Sequence, residues 1–283
     1  MLKGIGGFYY VKTADAVLEC RAKGIFRRRG LTPLAGDSVT VEGEEGGYVI
    51  SEIALRSNAL ARPAVANVGA LFIVQSSCDP RPNYRVIDEM SAIALRAGIK
   101  PIVVLTKTDI EPDDEFLRIY RRAGFEAIDL HGQRGALERL RELAAGKISV
   151  FSGNSGVGKS TLINLIDPRL ELETGLTSKK LGRGRHTTRA VCLYEFAGGW
   201  LADTPGFSSL DFTEGDSIPS RELAGCFPEF EPFTESCAFS DCSHTVEKGC
   251  AVLAALERGE IEPSRHESYK ELCRRAREAE NRW

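Results

Sequence analysis

The chain has 283 residues, with 37 Lys and Arg against 40 Asp and Glu and a net charge of −3. Its 42% apolar and 27% charged content is ordinary for a globular protein of two or three domains. The total charge does not support a nucleic-acid partner, so such a partner has to be argued from local clusters.

The amino-terminal residues lack the charged and then apolar pattern of a signal peptide, and no apolar run reaches the length of a membrane span. We therefore expect a cytoplasmic protein without a membrane partner. In that compartment the eight cysteines are not expected to form a disulfide framework.

Residues 1–64 are predicted to form a small β-barrel. Segments rich in β-branched and aromatic residues alternate with Gly, Asp and Glu turns, and the OB-fold is the common five-stranded barrel with a nucleic-acid role. The strand segments are residues 7–11, 37–41 and 47–50. Five basic residues crowd around Phe26, a composition suited to RNA phosphates and bases, although a solvated face of mixed charge is the alternative. They are Arg21, Lys23, Arg27, Arg28 and Arg29.

Residues 65–215 alternate buried strands with helices, which predicts a parallel sheet with helices on both faces. The strands are predicted at 69–74, 101–105 and 148–151, with another marked by Ile128 and Leu130, and the helices at 85–95, 113–122 and 137–143. In residues 216–283 the sequence pattern changes to short predicted helices, prolines and a Cys/His cluster. Ser264 and Glu267 are predicted to form a capping box.

A P-loop follows the strand 148–151 and precedes a predicted helix. Glycines allow backbone N–H groups to surround phosphate oxygens, Lys159 reaches the β- and γ-phosphates, and Ser160 ligates Mg²⁺. A chance glycine-rich turn is the alternative. The predicted nucleotide-binding residues are Gly153, Asn154, Ser155, Gly156, Val157, Gly158, Lys159, Ser160 and Thr161, with Lys159 also assigned to catalysis.

Thr106, Lys107 and Asp109 follow the strand 101–105 and resemble the guanine-reading motif of GTPases. An Asp there can accept both guanine N–H groups, which adenine cannot offer. The motif usually begins with Asn, and Thr supplies a single hydrogen bond in its place. No Ser-Ala pair appears near residues 127–130, where GTPases carry one beneath the base. Ordinary surface charges are the alternative interpretation.

Asp203 to Gly206 resembles the magnesium and switch motif. Asp203 is predicted to hold Mg²⁺ and Gly206 to offer its N–H to the γ-phosphate. Phe207 follows, where Ras-like GTPases carry a water-orienting Gln nearby. In the preceding Gly/Arg-rich loop, Thr188 is the favoured third magnesium ligand. His186 is the candidate for positioning water, with an exposed loop histidine as the alternative.

Three cysteines and a histidine lie within fourteen residues, which is a tetrahedral ligand set for structural Zn²⁺. They are Cys237, Cys242, His244 and Cys250. Buried free cysteines are the alternative. Beyond them, a basic helix face is predicted to bind RNA, although interleaved glutamates weaken this prediction. Its cationic residues are His266, Lys270, Arg274 and Arg277, and Tyr269, Leu272, Cys273 and Ala276 are predicted on the opposite face.

The guanine motif precedes the P-loop, whereas ordinary GTPases have it last. The chain therefore carries the order of a circularly permuted GTPase. An ATP-using P-loop enzyme, or a non-catalytic RNA-binding protein that uses nucleotide structurally, are the alternatives from other classes.

Nearly the whole chain resembles the RsgA family of circularly permuted bacterial GTPases. The resemblance covers residues 56–63 before the GTPase domain, the P-loop, residues 184–188, residues 203–207 and the cysteine cluster. It implies a multi-domain α/β protein with an OB-fold barrel at 1–64, a permuted GTPase domain at 65–215 and a helical zinc domain at 216–283. It also implies GTP hydrolysis stimulated by the small ribosomal subunit, through contacts with 16S rRNA and ribosomal proteins, and release afterwards. We expect a monomer.

Overall fold

The computed structural model describes residues 1–172, 191–203 and 218–281. The chain folds into two compact units, one of Met1–Leu71 with Leu137–Leu210 and the other of Phe72–Ala136 with Asp211–Trp283. None of the helices in the described ranges combines the length and apolar character needed to cross a bilayer.

A five-stranded sheet opens the first unit, in the order β1-β2-β3-β5-β4. Its strands are β1 (Lys3–Ile5), β2 (Phe8–Lys12), β3 (Val17–Ala22), β4 (Val39–Glu44) and β5 (Gly47–Ile53), with the short helix α1 (Gly24–Arg28) after β3. Neighbouring strands are antiparallel except β3 and β5, which are parallel. The core of this sheet contains Val11, Cys20, Phe26 and Ile50. The sheet has the five strands that the predicted barrel requires.

The predicted strand at 37–41 begins two residues late, at Val39. The reason is Asp37, which is 1% exposed and belongs to a turn. Its carboxylate accepts the backbone N–H of Leu34 at 2.7 Å and pairs with the guanidinium of Arg56 at 2.7 Å. A side chain that accepts a backbone N–H group of a turn offers the backbone an alternative to strand pairing.

The remainder of the first unit carries the P-loop. After the antiparallel pair β6 (Ala59–Leu60) and β7 (Val65–Ala66), strand β8 (Val68–Ser76) runs from the first unit into the second. Later in the chain β11 pairs in parallel with β13, and β13 pairs antiparallel with β12. These elements are α4 (Ala136–Ala144), β11 (Ile148–Ser152), α5 (Lys159–Ile166), β12 (Cys192–Phe196) and β13 (Gly199–Asp203).

The second unit carries the guanine motif on three strands in the order β10-β9-β8. Its elements are α2 (Tyr84–Arg96), β9 (Pro101–Thr106), α3 (Asp114–Arg122) and β10 (Glu126–Asp129). The pair β9 and β10 is parallel, as predicted. Asn83 and Asp113 cap α2 and α3 by accepting N–H groups of the first turn. Leu130 lies just past β10, because Asp129 turns the chain there.

The C-terminal part of the second unit is built from short helices, as predicted. It contains α6 (Glu231–Thr234), α7 (Ala251–Glu257) and α8 (Pro263–Glu280), preceded by 3₁₀ turns at Ser220–Glu222, Ala224–Cys226 and Pro228–Phe230. The capping-box prediction is wrong. Helix α8 begins at Pro263, a residue suited to the first helical position, with Glu262 as its N-cap. The hydroxyl of Ser264 is buried and has no hydrogen-bond partner among the residues that the structure describes.

One buried guanidinium joins α8 to α2 and to the 3₁₀ turn at 228–230. Arg265 is 1% exposed, and it donates to Asp88 at 2.6 Å and to Glu229 at 2.7 Å. Tyr120 donates to the same Asp88 carboxylate at 3.0 Å, and the Phe227 ring lies 4.5 Å from the guanidinium. The charge is thus compensated by two carboxylates, without which burial of an arginine is very costly.

Replacement of Arg265 by Met is expected to lower the free energy of unfolding by about 3–5 kcal/mol, because Asp88 and Glu229 are left as uncompensated buried charges. Arg274→Met on the same helix is the matched control, since Arg274 pairs with Glu271 and Glu278 in solvent and should stay close to wild type. Urea unfolding followed by circular dichroism measures both. Equal effects of the two substitutions would contradict the assigned role of Arg265.

Candidate functional site

The P-loop connects β11 to α5 through backbone conformations that favour glycine. Gly153, Gly156 and Gly158 have φ of 145°, 85° and 94°. Gly158 is the N-cap of α5 and, having no side chain, leaves the N–H groups of the first helical turn uncapped. Such a helix start is suited to an anion, because the free N–H groups and the helix dipole both favour negative charge.

Lys159, the first residue of α5, is directed back into the loop. Its ammonium donates to the carbonyls of Gly153 at 2.6 Å and Asn154 at 2.7 Å. Burial lowers the pKa of this lysine to about 8. The loop carbonyls therefore hold a desolvated positive charge at the centre of the P-loop, which is the charge that a polyphosphate would engage.

The other predicted P-loop residues divide by exposure. Val157 is fully buried and anchors the loop, whereas Asn154 and Ser160 are half-buried. Ser155, Gly156 and Thr161 are exposed. The Ser160 hydroxyl, one residue into α5, is a hard oxygen donor of the kind Mg²⁺ takes.

The guanine motif lies at the end of β9. Thr106 is the last strand residue and is buried, and its hydroxyl donates to the carbonyl of Gln75 at 3.1 Å. Lys107 has a left-handed backbone, with φ of 60°, and its ammonium donates to the carbonyl of Asp79. The Asp109 side chain is 59% exposed, and its carboxylate lies 3.7 Å from Nε2 of His131. Asp109 is thus the member of the motif that faces solvent.

Three residues of this region were not predicted from the sequence. Thr108 is buried and donates to Asp129, and Asp129 accepts N–H groups from the turn that contains His131. The only sequence signal was the short Asp-to-Gly turn after a strand, at the place where the Ser-Ala pair is missing.

The switch predictions fall mainly beyond the described residues. His186, Thr188 and Gly206 lie outside them. Asp203 is the last residue of β13, where its backbone pairs with that of Cys192.

The predicted zinc ligands come together. Their ligand atoms all lie within 4.8 Å of one another. Nδ1 of His244 is 3.5 Å from Sγ of both Cys237 and Cys250, and those two sulfurs are 3.9 Å apart. A tetrahedral Zn²⁺ with Zn–S near 2.3 Å requires S···S of about 3.8 Å and S···N of about 3.6 Å. The donor set therefore fits zinc in chemistry, and the distances among Cys237, His244 and Cys250 fit the spacing that the ion requires.

Backbone N–H groups and α8 support this cluster. The N–H of Ala251 points to Sγ of Cys237 at 3.4 Å, and that of Leu253 to Sγ of Cys250 at 3.5 Å. From α8, Nε2 of His266 contacts the carbonyl of His244 at 2.8 Å. The prediction that His266 lies on an exposed cationic face is therefore wrong.

Two further residues around the cluster were missed. The hydroxyl of Tyr269 donates to the carbonyl of Ser243 at 2.8 Å. The carboxylate of Glu247 accepts the N–H groups of Ser243 at 3.0 Å and Thr245 at 3.0 Å. Burial opposes the charge of Glu247, but the hydrogen bond from Ser243 and those from the backbone lower its pKa to about 2. These contacts hold the loop that carries His244.

Purified protein is expected to contain about one zinc per chain, and Cys242→Ala or Cys250→Ala should reduce this to background, because three ligands do not close the site. Cys226→Ala is the control, since Cys226 is buried in the same core but lies outside the cluster. Elemental analysis after dialysis against a weak chelator measures the zinc content of each protein. Zinc well below one per chain in the wild type would exclude the site.

Affinity for GDP is expected to fall as the pH rises through the lowered pKa of Lys159. The charged ammonium binds phosphate, and a pKa of about 8 means that the free site loses this charge between pH 7 and 8.5, weakening binding about fourfold. Titration calorimetry in two buffers also detects the proton taken up on binding. Lys159→Arg, which does not titrate there, should show neither effect, and identical pH profiles for both proteins would contradict the prediction.

Two family models match the chain. A model described as the RsgA GTPase matches residues 53–213, and one described as the RsgA N-terminal domain matches residues 1–49.

Relatives match over nearly their whole lengths. A protein named small ribosomal subunit biogenesis GTPase RsgA from Caldanaerobacter subterraneus subsp. tengcongensis is 42% identical, covering 100% of this chain and 96% of that protein. Its namesake from Geobacillus thermodenitrificans is 40% identical, covering 100% and 98%.

Two solved structures are also similar. The circularly permuted GTPase YloQ has a TM-score of 0.76 at 33% identity, covering 98% of this chain and 93% of that one. YjeQ from Thermotoga maritima has a TM-score of 0.77 at 32% identity, covering 97% and 96%. On the residues matched and the lengths covered, this chain belongs to the RsgA GTPase family.

Proposed function

We propose that this GTPase binds the small ribosomal subunit, assists a late step of its maturation, and leaves after hydrolysing GTP. The observation that carries the proposal is the match, over nearly full length, to relatives whose name contains that process. The P-loop supports the chemical part, because its glycine conformations and uncapped helix start suit a bound polyphosphate.

Within this proposal the phosphates bind along residues 153–161, and Asp109 reads guanine, with Thr106 and Lys107 shaping the turn. Mg²⁺ would be held by Ser160, Thr188 and Asp203, a set of hydroxyl and carboxylate oxygens that suits this cation. The metal would neutralise charge on the phosphates. Gly206 would detect the γ-phosphate through its backbone N–H.

His186 is proposed to position the attacking water. The supporting observation is in the sequence: Phe207 stands after the switch motif and has no group that could orient water. Slow turnover by the free protein follows, and the subunit would supply the activating geometry.

The barrel is the better supported of the two proposed RNA contacts. Arg27, Arg28 and Arg29 are exposed side by side at the end of α1, and no described ion pair occupies them. Phe26 cannot stack on a base as expected, because it is buried in the barrel core. The three arginines therefore suit phosphates rather than bases.

The C-terminal helix offers fewer free cations than its sequence predicts. His266 is buried, and Arg274 is paired with Glu271 and Glu278. Lys270 and Arg277 remain exposed. The four residues predicted on the other face of this helix are buried, as expected of an apolar face. They are Tyr269, Leu272, Cys273 and Ala276.

We further propose three domains, the barrel at 1–64, the permuted GTPase domain at 65–215 and the zinc domain at 216–283, acting as a monomer. The separate family models for residues 1–49 and 53–213 support a division between an N-terminal domain and a GTPase domain. The cysteine cluster and the hydrophobic core around it, which also includes Ala92 of α2, support the last domain, with structural zinc closing the loop between Cys237 and Cys250.

GTP turnover is expected to be slow for the protein alone or with large subunits and to rise by orders of magnitude with small subunits, since stimulated GTPases gain up to about 10⁵-fold. Phosphate release with each subunit, using GTP or ATP, measures this. His186→Ala should lose the stimulated rate while its GDP affinity stays at the wild-type value. Equal rates with both subunits would contradict the proposed partner, and full activity of the His186 variant would remove the water-positioning role.

A further inference from the structure

The guanine motif lies on the central strand of three, since β9 is flanked by β8 and β10. Its two threonines use their hydroxyls in opposite directions. Thr106 bonds toward β8 and Thr108 toward the end of β10. The turn that presents Asp109 is therefore tied to both neighbouring strands through side chains.

On the β8 side the ties go to backbone carbonyls. Thr106 donates to Gln75 at 3.1 Å, and the N–H of Ser77 returns a bond to the carbonyl of Thr106 at 3.0 Å. Lys107 donates to the carbonyl of Asp79. These bonds fix the start of the turn, but none of them reaches the residues that follow Lys107.

On the β10 side one carboxylate oxygen collects three donors. Oδ1 of Asp129 accepts the Thr108 hydroxyl, the N–H of His131 at 3.0 Å and the N–H of Gly132 at 2.8 Å. A Cβ on Gly132 would lie 2.2 Å from Oδ2 of Asp129, so a side chain at this position would have to displace the carboxylate. Thr108 is 6% exposed, which shields its hydrogen bond from competing water.

This carboxylate also sets the position of His131. The turn that Asp129 closes places Nε2 of His131 3.7 Å from Oδ1 of Asp109. Asp109 therefore lies next to His131 of the turn after β10, and the turn that carries Asp109 is itself held by the Thr108 hydroxyl. The arrangement stands where the Ser-Ala pair of other GTPases is missing from this sequence.

We infer that Asp129 and Thr108 are positioning residues for guanine recognition: they hold the Asp109 carboxylate where it accepts the N1–H and the 2-amino group of guanine. The inference rests on the proposed role of Asp109 as the base reader. A purely structural role for the pair would affect stability and every nucleotide alike. A positioning role affects only those bonds that Asp109 makes to the base.

Comparison of GDP with IDP separates the two roles, because inosine lacks the 2-amino group that Asp109 would bind, while the phosphates are identical. Wild-type protein should prefer GDP. Thr108→Val and Asp129→Ala should reduce that preference about tenfold, the effect of losing roughly one well-placed hydrogen bond, and weaken IDP binding less than GDP binding, because IDP keeps the N1–H but lacks the 2-amino group. Retained IDP binding also shows that the variants are folded.

Three further variants sharpen the test, with affinities measured by titration calorimetry. Thr108→Ser keeps the hydroxyl and should keep the preference, whereas Gly132→Ala should lose it by displacing the carboxylate. Glu115→Gln, an exposed carboxylate on α3, should change nothing.

Asp109→Asn is the reference that separates this inference from the proposed function. If Asp109→Asn abolishes the preference while Thr108→Val and Asp129→Ala retain it, or weaken GDP and IDP equally, the positioning role is wrong and the base reader stands. If neither the wild type nor Asp109→Asn prefers GDP, the base-reading role itself is wrong.

Discussion

The second unit depends on the contact between the Arg265 guanidinium and the carboxylates of Asp88 and Glu229. The charge is buried, so α8 cannot leave α2 without exposing or stranding three ionised groups. On the exposed side of α8, Arg274 pairs with glutamates of its own helix and so does not hold α8 to another element. The position of the C-terminal helices is therefore set by polar groups inside the core as well as by apolar packing.

The same helix also reaches the cysteine cluster. Arg265 is directed toward α2, whereas its neighbour His266 contacts the carbonyl of His244, and Tyr269 contacts the carbonyl of Ser243. One turn of α8 thus serves two purposes. It fastens α2 to the C-terminal helices, and it orients the loop that carries His244. Changes at the cysteine cluster and changes at Arg265 would therefore disturb the same helix.

Local features could be predicted from the sequence, and features that depend on distant partners could not. The P-loop strand, turn and helix lie next to one another in the chain, as do the cysteine cluster and the strand before Asp109. The hydrogen bond from Thr108 to Asp129 depends on which strand lies beside β9, and neither residue's type or position in the sequence predicts it. Helical spacing placed His266 on the same face as Lys270. Periodicity alone does not predict that such a residue is buried, as His266 is where its ring contacts a backbone carbonyl.

Both compact units are assembled from separated stretches of chain, and this has a consequence for synthesis. The first unit is complete once residue 210 has been made, whereas the second needs Arg265, which bonds to Asp88 from 177 residues further on. From residue 210 to Arg265 the ribosome adds 55 residues, which takes about 3–11 s at about 5–20 residues per second. During that interval a nascent chain holds a completed first unit and an incomplete second unit. The order of translation therefore delays completion of the second unit until the last helix has emerged.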